Sequence, residues 1–242
     1  MATLIFDIET AGSNWDDIPA STQYALTKWI GQQPISDEEK ARLSEEAQEK
    51  LGLSPFTGQI VSLVMYDLER KQGAVYFVAD DSVIDYTVDE FKYKVRSEQE
   101  LLEDFWESAR SYDVFVTFNG RSFDVPFLLH RSLISGVRPT VTLTGQRYLD
   151  RQIAPYHVDL LDEFSFYGAM HRRPSLQLLC DAYGIHYAKE GMGGEDVAEF
   201  FMQKKFRDIA EKNAADVVAT TELYEKWKIN LATATFLNGI DF

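Results

Sequence analysis

The sequence predicts an α/β fold, a mixed β-sheet flanked by helices, and three observations predict it. The run Thr3-Leu4-Ile5-Phe6-Asp7-Ile8-Glu9-Thr10 is apolar on both faces, as a central buried strand requires. Two further apolar runs, 59–67 and 73–79, flank a polar turn and read as a hairpin. Strand and helix patterns then alternate, and beyond about residue 160 only helical patterns remain.

In the first strand side chains alternate faces. Ile5, Asp7 and Glu9 share one face, while Leu4, Phe6 and Ile8 share the other. Residues 11–14 then read as a loop, and 19–52 as helical and acidic. Pro19 opens one helix running to Ile30, and Ser36 caps a second running to about Leu51, with Gly52 as its stop. After the hairpin, 80–96 reads as loop with one short strand. Ser97 caps a helix to about 111, with Leu101, Leu102, Phe105 and Ala109 on its apolar face. Residues 113–118 are a buried-type strand, Asn119-Gly120 a turn, and 123–134 a helix with Pro126 in its first turn. Residues 135–156 look irregular, and 157–160 are a short strand or a helix entry. Helices are expected at about 161–169, 174–183 (stopped by Gly184), 194–204, 206–228 and 230–237, with a loop at Gly191-Met192-Gly193-Gly194. No repeat or linker divides the chain, so 1–242 is expected to form a single domain with a helical insertion at about 11–52.

The chain has 242 residues and a formal net charge of −15. That charge argues against a protein that coats nucleic acid by electrostatics alone. The acid is unevenly placed. Residues 1–110 hold 22 acidic and 10 basic side chains, whereas 120–175 hold 5 acids against 7 arginines, with His130, His157 and His171. The charge therefore leaves room for a phosphate-bearing substrate, provided that it meets the middle of the chain. No apolar run reaches the roughly 18–20 residues of a membrane span, and no basic-then-apolar leader opens the chain. The single cysteine, Cys180, excludes an internal disulfide and fits a reducing cytoplasm, the expected location.

Three acidic segments are the candidate site. Asp7 and Glu9 end the first strand on one face, where two carboxylates repel and are costly to bury without a cation. Alone they read either as hydrated acids at a strand end or as ligands of a divalent metal. Asp124, in Phe118-Asn119-Gly120-Arg121-Ser122-Phe123-Asp124, follows a second buried strand, where ligands of open α/β sheets collect. By itself it reads more simply as a helix cap. Asp216 borders the buried stripe Ala214, Val217, Val218 and Thr221 of a late helix, as a ligand or as an ordinary surface acid.

Together the order Asp-x-Glu, Asn-Gly-x-x-Phe-Asp, then Asp-Val-x-x-Thr resembles the DEDD 3′–5′ exonucleases of the ribonuclease H-like fold. The likeness is strongest to stand-alone relatives of the proofreading domain of family-B DNA polymerases. The segments at 54–61, His157-Val158-Asp159-Leu160 and Ser175-Leu176 fit as well. The resemblance implies that Asp7, Glu9, Asp124 and Asp216 bind two Mg²⁺ or Mn²⁺ ions, hard cations suited to carboxylate oxygen. It implies hydrolysis from the 3′ end of single-stranded nucleic acid, DNA ranked ahead of RNA, with release of 5′-monophosphates. It also implies a tyrosine four positions, or a histidine five, before the last aspartate. Lys212 and Glu211 stand there instead. Lys212 shares a helix face with Asp216 and could orient a water or contact phosphate, or be a surface lysine. His171 and Tyr148 are other replacements to consider. Arg121, Arg147, Arg172 and Arg173 are candidates for phosphate, Asn119 for the substrate backbone, and Phe123 and Tyr167 for base stacking. The departure at Lys212 keeps a second expectation open, a catalytically weak or inactive nucleic-acid-binding module on the same fold. The acidic surface keeps open a third, a small-molecule phosphohydrolase. No Gly-x-Ser-x-Gly elbow or Gly-x-Gly-x-x-Gly turn supports a serine hydrolase or a dinucleotide enzyme.

Overall fold

The computed structural model describes residues 1–187 and 193–232. A seven-stranded mixed sheet carries the fold, in the order β4-β5-β3-β2-β1-β6-β7. Its strands are β1 (Thr3–Gly12), β2 (Gly58–Asp67), β3 (Gln72–Phe77), β4 (Tyr86–Val88), β5 (Phe91–Val95), β6 (Val114–Thr117) and β7 (Tyr156–Asp159). β1 is antiparallel to β2 and parallel to β6, which is parallel to β7. β2 and β3 form the expected hairpin.

The two faces of β1 lead into different layers. Leu4, Phe6 and Ile8 pack into a cluster with Leu101, Phe105 and Trp106 of α3 (Glu98–Ala109) and with Val125, Phe127 and Leu128 of α4 (Asp124–Ser135). Burying each such phenylalanine contributes about 1.5–3 kcal/mol. The start of α3 is fixed by a reciprocal bond between Ser97 and Glu100. Ile5 faces the other layer, where α8 (Phe206–Asn230) supplies Ala210, Ala214, Val217, Leu223 and Trp227. α8 is 25 residues long and packs across β1 and β2, so one of its edges runs past the carboxylate end of β1.

The acidic insertion folds as α1 (Ala20–Gly31), α2 (Asp37–Glu49) and a 3₁₀ turn at Lys50–Leu53. β1 itself continues to Gly12, so the insertion begins later than expected. Gly52 lies within the 3₁₀ turn, where an added Cβ would come within 3.0 Å of the Gly12 backbone nitrogen. Thr10 Oγ1 donates to Gly52 O at 2.7 Å. These contacts seat the insertion against the end of β1.

Several expectations change. Residues 80–96 contain two strands, because Asp85 accepts the Val95 amide and Tyr86 stacks on Tyr93 in a segment too polar to read as sheet. The helix expected at 161–169 is α5 (Leu160–Phe164), cut short where Phe166 and Tyr167 take positive φ. The helix expected at 174–183 is α6 (Leu176–Tyr183), stopped by Gly184 at φ 66°. The helix expected at 194–204 is a 3₁₀ turn followed by α7 (Val197–Met202). Val218 is exposed rather than part of the buried stripe of α8. Two readings, the loop at 191–194 and the helix at 230–237, lie partly outside the described residues.

The turn after β6 holds Asp124 in place. Asn119 adopts φ 66° and gives its amide to Asp159 Oδ1 at 2.9 Å, while the Arg121 amide donates to Asp159 Oδ2 at 2.9 Å. At Gly120 an added Cβ would lie 2.4 Å from Thr117 Oγ1. Thr117 cannot yield, since it is fully buried and its hydroxyl donates to His157 Nε2. We predict that Gly120→Ala destabilises the protein by about 1–3 kcal/mol through this overpacking. Denaturant unfolding checks it, and wild-type stability would show that the turn can shift freely.

Candidate metal centre

Three elements, β1, α4 and α8, bring the four acids together. Asp7 and Glu9 leave β1 on the α8 side, and Asp216 meets them from the edge of α8. Oxygens of these three carboxylates all lie within 4.8 Å of one another. Asp124 arrives from the first turn of α4. β6 pairs with β1 only over Thr3–Ile5, so the Ile8 amide is left open beyond the splay, and Asp124 Oδ1 accepts it at 3.1 Å. Glu9, Asp124 and Asp216 are buried, and Asp7 keeps some access to solvent.

Fully ionised, such a cluster is unstable without cations. At an effective dielectric of about 20, two carboxylates about 5 Å apart repel by about 3 kcal/mol. Three such pairs approach the whole net stability of a typical domain, roughly 5–15 kcal/mol. Lys212 supplies one charge. One turn before Asp216 on α8, it donates to Glu9 Oε1 and lies 2.8 Å from Asp216 Oδ2. Burial disfavours its charge, but Glu9 and Asp216 outweigh that and hold it above the ordinary lysine range. Lys212 is therefore a fixed cation and not a base.

One ammonium does not neutralise four acids. Burial, then Asp124, Asp216 and Glu9, push Asp7 well above the carboxylate range, against the pull of Lys212. Burial raises Glu9 to about 7, with Lys212 opposing and Asp216 adding. Burial likewise raises Asp124 to about 7, opposed by the amides of Ile8 and of Asp124 itself. An all-oxygen set that holds its protons this tightly for want of positive charge fits hard divalent cations.

Tyr187 also reaches the cluster, donating its hydroxyl to Asp216 Oδ1. Nothing in the sequence signalled it. It follows the α6 stop by three residues and precedes Asp216 by 29, with no motif linking the two. No motif assigns Asp159 a role either, yet it accepts the amides of Asn119 and Arg121, bracing the turn that presents Asp124, and those of Leu161 and Asp162 at the start of α5.

The remaining candidates are more dispersed. Asn119 bonds through its backbone to Asp159, as above. Phe123 is half-buried, its ring 5.6 Å from that of Phe127. Arg121 is half-buried, 3.7 Å from Asp162 and donating to the carbonyls of Gly145 and His157. Arg147 pairs with both oxygens of the same Asp162. These two guanidiniums are engaged within the protein, whereas Arg172, Arg173 and His171 are exposed in the turn before α6. The Tyr148 and Tyr167 rings meet at a tilt, 4.7 Å between centroids and 44° between planes, and Tyr167 donates to Glu163. His157 is buried and neutral. Leu143 O can only accept, so Nδ1 carries the proton and Nε2 accepts from Thr117, and burial holds the ring down to about 3. A cleft of about 800 Å³, lined by Thr10, Glu49, Lys50, Leu53, Glu199 and Met202, opens between the insertion and α7.

Residues 67–236 match a family described as predicted 3′–5′ exonucleases related to the exonuclease domain of PolB. The chain belongs to this family. The matched span holds Asp124, Lys212 and Asp216, while Asp7 and Glu9 precede it. Among solved structures, the chain is similar to the family B DNA polymerase of the hyperthermophilic archaeon Pyrobaculum calidifontis, with a TM-score of 0.58 and 18% identity. That likeness covers 94% of this chain but only 24% of the polymerase, and it establishes a fold of the polymerase-exonuclease type. No curated protein matches. Among the described residues no helix is long and apolar enough to cross a membrane.

The raised carboxyl groups fix a sign for pH dependence. Their ordinary values are 3.8 and 4.5, and Glu9 and Asp124 stand at about 7 when folded. Between about pH 4 and 7 the folded metal-free protein holds protons that the unfolded chain has released, so stability falls as pH rises. His157 acts oppositely below its ordinary 6.5, but three carboxyl groups outweigh one imidazole. We predict a Tm in EDTA that decreases from pH 5 to 7.5, and a stabilisation by Mn²⁺ that is larger at pH 7.5 than at pH 5. Scanning calorimetry checks both, and a Mn²⁺ effect independent of pH would contradict the assignment.

Proposed function

We propose that this protein is a metal-dependent 3′–5′ exonuclease that removes nucleotides from single-stranded ends, DNA in preference to RNA, releasing nucleoside 5′-monophosphates. The observation that carries the reading is the convergence of Asp7, Glu9 and Asp216 within 4.8 Å, beside Asp124, in a chain of this exonuclease family. Asp7, Glu9, Asp124 and Asp216 would hold two Mg²⁺ or Mn²⁺ ions. When bound, the ions supply positive charge against the scissile phosphate and lower the pKa of an attacking water.

The chain's own residues do the rest. The Ile8 amide and the turn braced by Asp159 fix Asp124, so its carboxylate needs little reorganisation. Lys212 offsets charge between Glu9 and Asp216 and can turn its ammonium to a phosphate oxygen. Phe123, beside Asp124 at the mouth of the turn, offers a ring for a terminal base. Exposed Arg172, in a region richer in arginine than in acid, is the side chain we assign to backbone phosphate. The raised carboxyl values make proton release part of ion binding, so activity should rise with pH toward neutrality.

Lys212 also favours a second reading, a non-catalytic nucleic-acid-binding module, because its ammonium already stands between two of the acids. One experiment separates the two. Oligonucleotides labelled at either end, as DNA and as RNA, are incubated with wild type or Asp7→Ala in Mn²⁺, Mg²⁺ or EDTA. The exonuclease reading predicts a metal-dependent ladder shortening from the 3′ end, and a loss of roughly 10³-fold or more in Asp7→Ala as several kcal/mol of charge stabilisation disappear. Binding without cleavage would support the module, and turnover confined to small phosphate esters would support a phosphohydrolase.

A further inference from the structure

The hydrolysis proposed above needs a group that holds a water with a lone pair aimed at phosphorus. The carboxylates are taken up by charge, and Lys212 has three donors and no acceptor. Among the described residues, Tyr187 is the one uncharged side chain hydrogen-bonded to the four acids, through Asp216 Oδ1. Its ring packs against the core cluster that includes α8, so the hydroxyl is anchored from behind. The two oxygens of Asp216 are thereby divided, Oδ1 facing Tyr187 and Oδ2 facing Lys212. A phenol that donates its proton to Asp216 keeps its oxygen lone pairs free to accept from a water beside that carboxylate.

We propose that Tyr187 is the water-positioning residue of this site, donating to Asp216 and accepting from the attacking water. The inference rests on the exonuclease reading. In the step it serves, the water oxygen bonds to phosphorus and the P–O3′ bond breaks. The electron pair leaves on the 3′ oxygen, which takes up a proton from solvent, and the water's released proton passes to bulk. Tyr187 keeps its own proton throughout, held in its hydrogen bond to Asp216 Oδ1. The position one turn before Asp216 can then be a lysine, because the hydroxyl comes from the segment after α6.

The test is Tyr187→Phe, which keeps the ring in the core and removes only the oxygen. Mn²⁺ binding is read by titration of the free-ion electron paramagnetic resonance signal, and steady-state cleavage of a 3′-labelled DNA oligonucleotide is measured alongside. The expected result is Mn²⁺ affinity within about 3-fold of wild type, KM within about 3-fold, and kcat lower by about 10- to 100-fold, the scale of a misplaced reactant. Unchanged kcat overturns the assignment. A fall in Mn²⁺ affinity that accounts for the lost activity overturns it too, because Tyr187 would then only steady a ligand. A wild type that binds Mn²⁺ but cleaves nothing overturns the exonuclease reading and this assignment with it.

Discussion

The mutual repulsion of carboxylates at the end of β1 is the constraint on which the rest of this structure depends. Asp7, Glu9 and Asp216 stand within 4.8 Å of one another, with Asp124 alongside, and Lys212 is the one cation bonded among them in the described residues. Hydrophobic packing must hold them there against that cost. It does so from both sides of the sheet, since the apolar residues of β1 alternate with the acids and commit the strand to two core layers. A position that is expensive for the fold and protonated in the absence of charge is the kind of place where a fold carries function.

The architecture turns this constraint into a site through a sheet that splays. β6 leaves β1 after Ile5, and the opened Ile8 amide becomes the anchor for Asp124. The turn that delivers Asp124 is strained at Asn119 and packed tight at Gly120, and it is tied to β7 through the amides of Asn119 and Arg121, both accepted by Asp159. Asp162 gathers Arg121 and Arg147 beside it. The basic middle of the chain therefore serves partly as internal bracing, and the cations left for a polyanion are fewer than its composition suggests. α8 contributes through length, with Lys212 and Asp216 one turn apart on the same edge.

Much of this was legible from local pattern. The alternation in β1 separated Ile5, Asp7 and Glu9 from Leu4, Phe6 and Ile8, and both core layers respect that division. The hairpin, the capped α3 and the Gly184 stop were readable because turn and cap chemistry is short-range. What escaped depended on contacts distant in sequence. The strands within 80–96 are held by packing and by Asp85, not by apolar alternation. Val218 lies just outside the buried arc of a helix whose orientation the sequence left free by a few tens of degrees. Tyr187 was invisible because nothing in its neighbourhood announces a partner on α8, and the ties of Arg121 and Arg147 to Asp162 required the fold.

The central claim is that the acids at the end of β1 form a metal centre. Its most direct test is anomalous X-ray diffraction from crystals of the wild-type protein equilibrated with Mn²⁺. The account predicts an anomalous peak among Asp7, Glu9 and Asp216, with carboxylate oxygens at about 2.0–2.2 Å and the Lys212 ammonium moved off the oxygens it now bridges. A site without anomalous density, in which Lys212 still spans Glu9 and Asp216, would contradict it and leave the lysine as the cation this fold was built around.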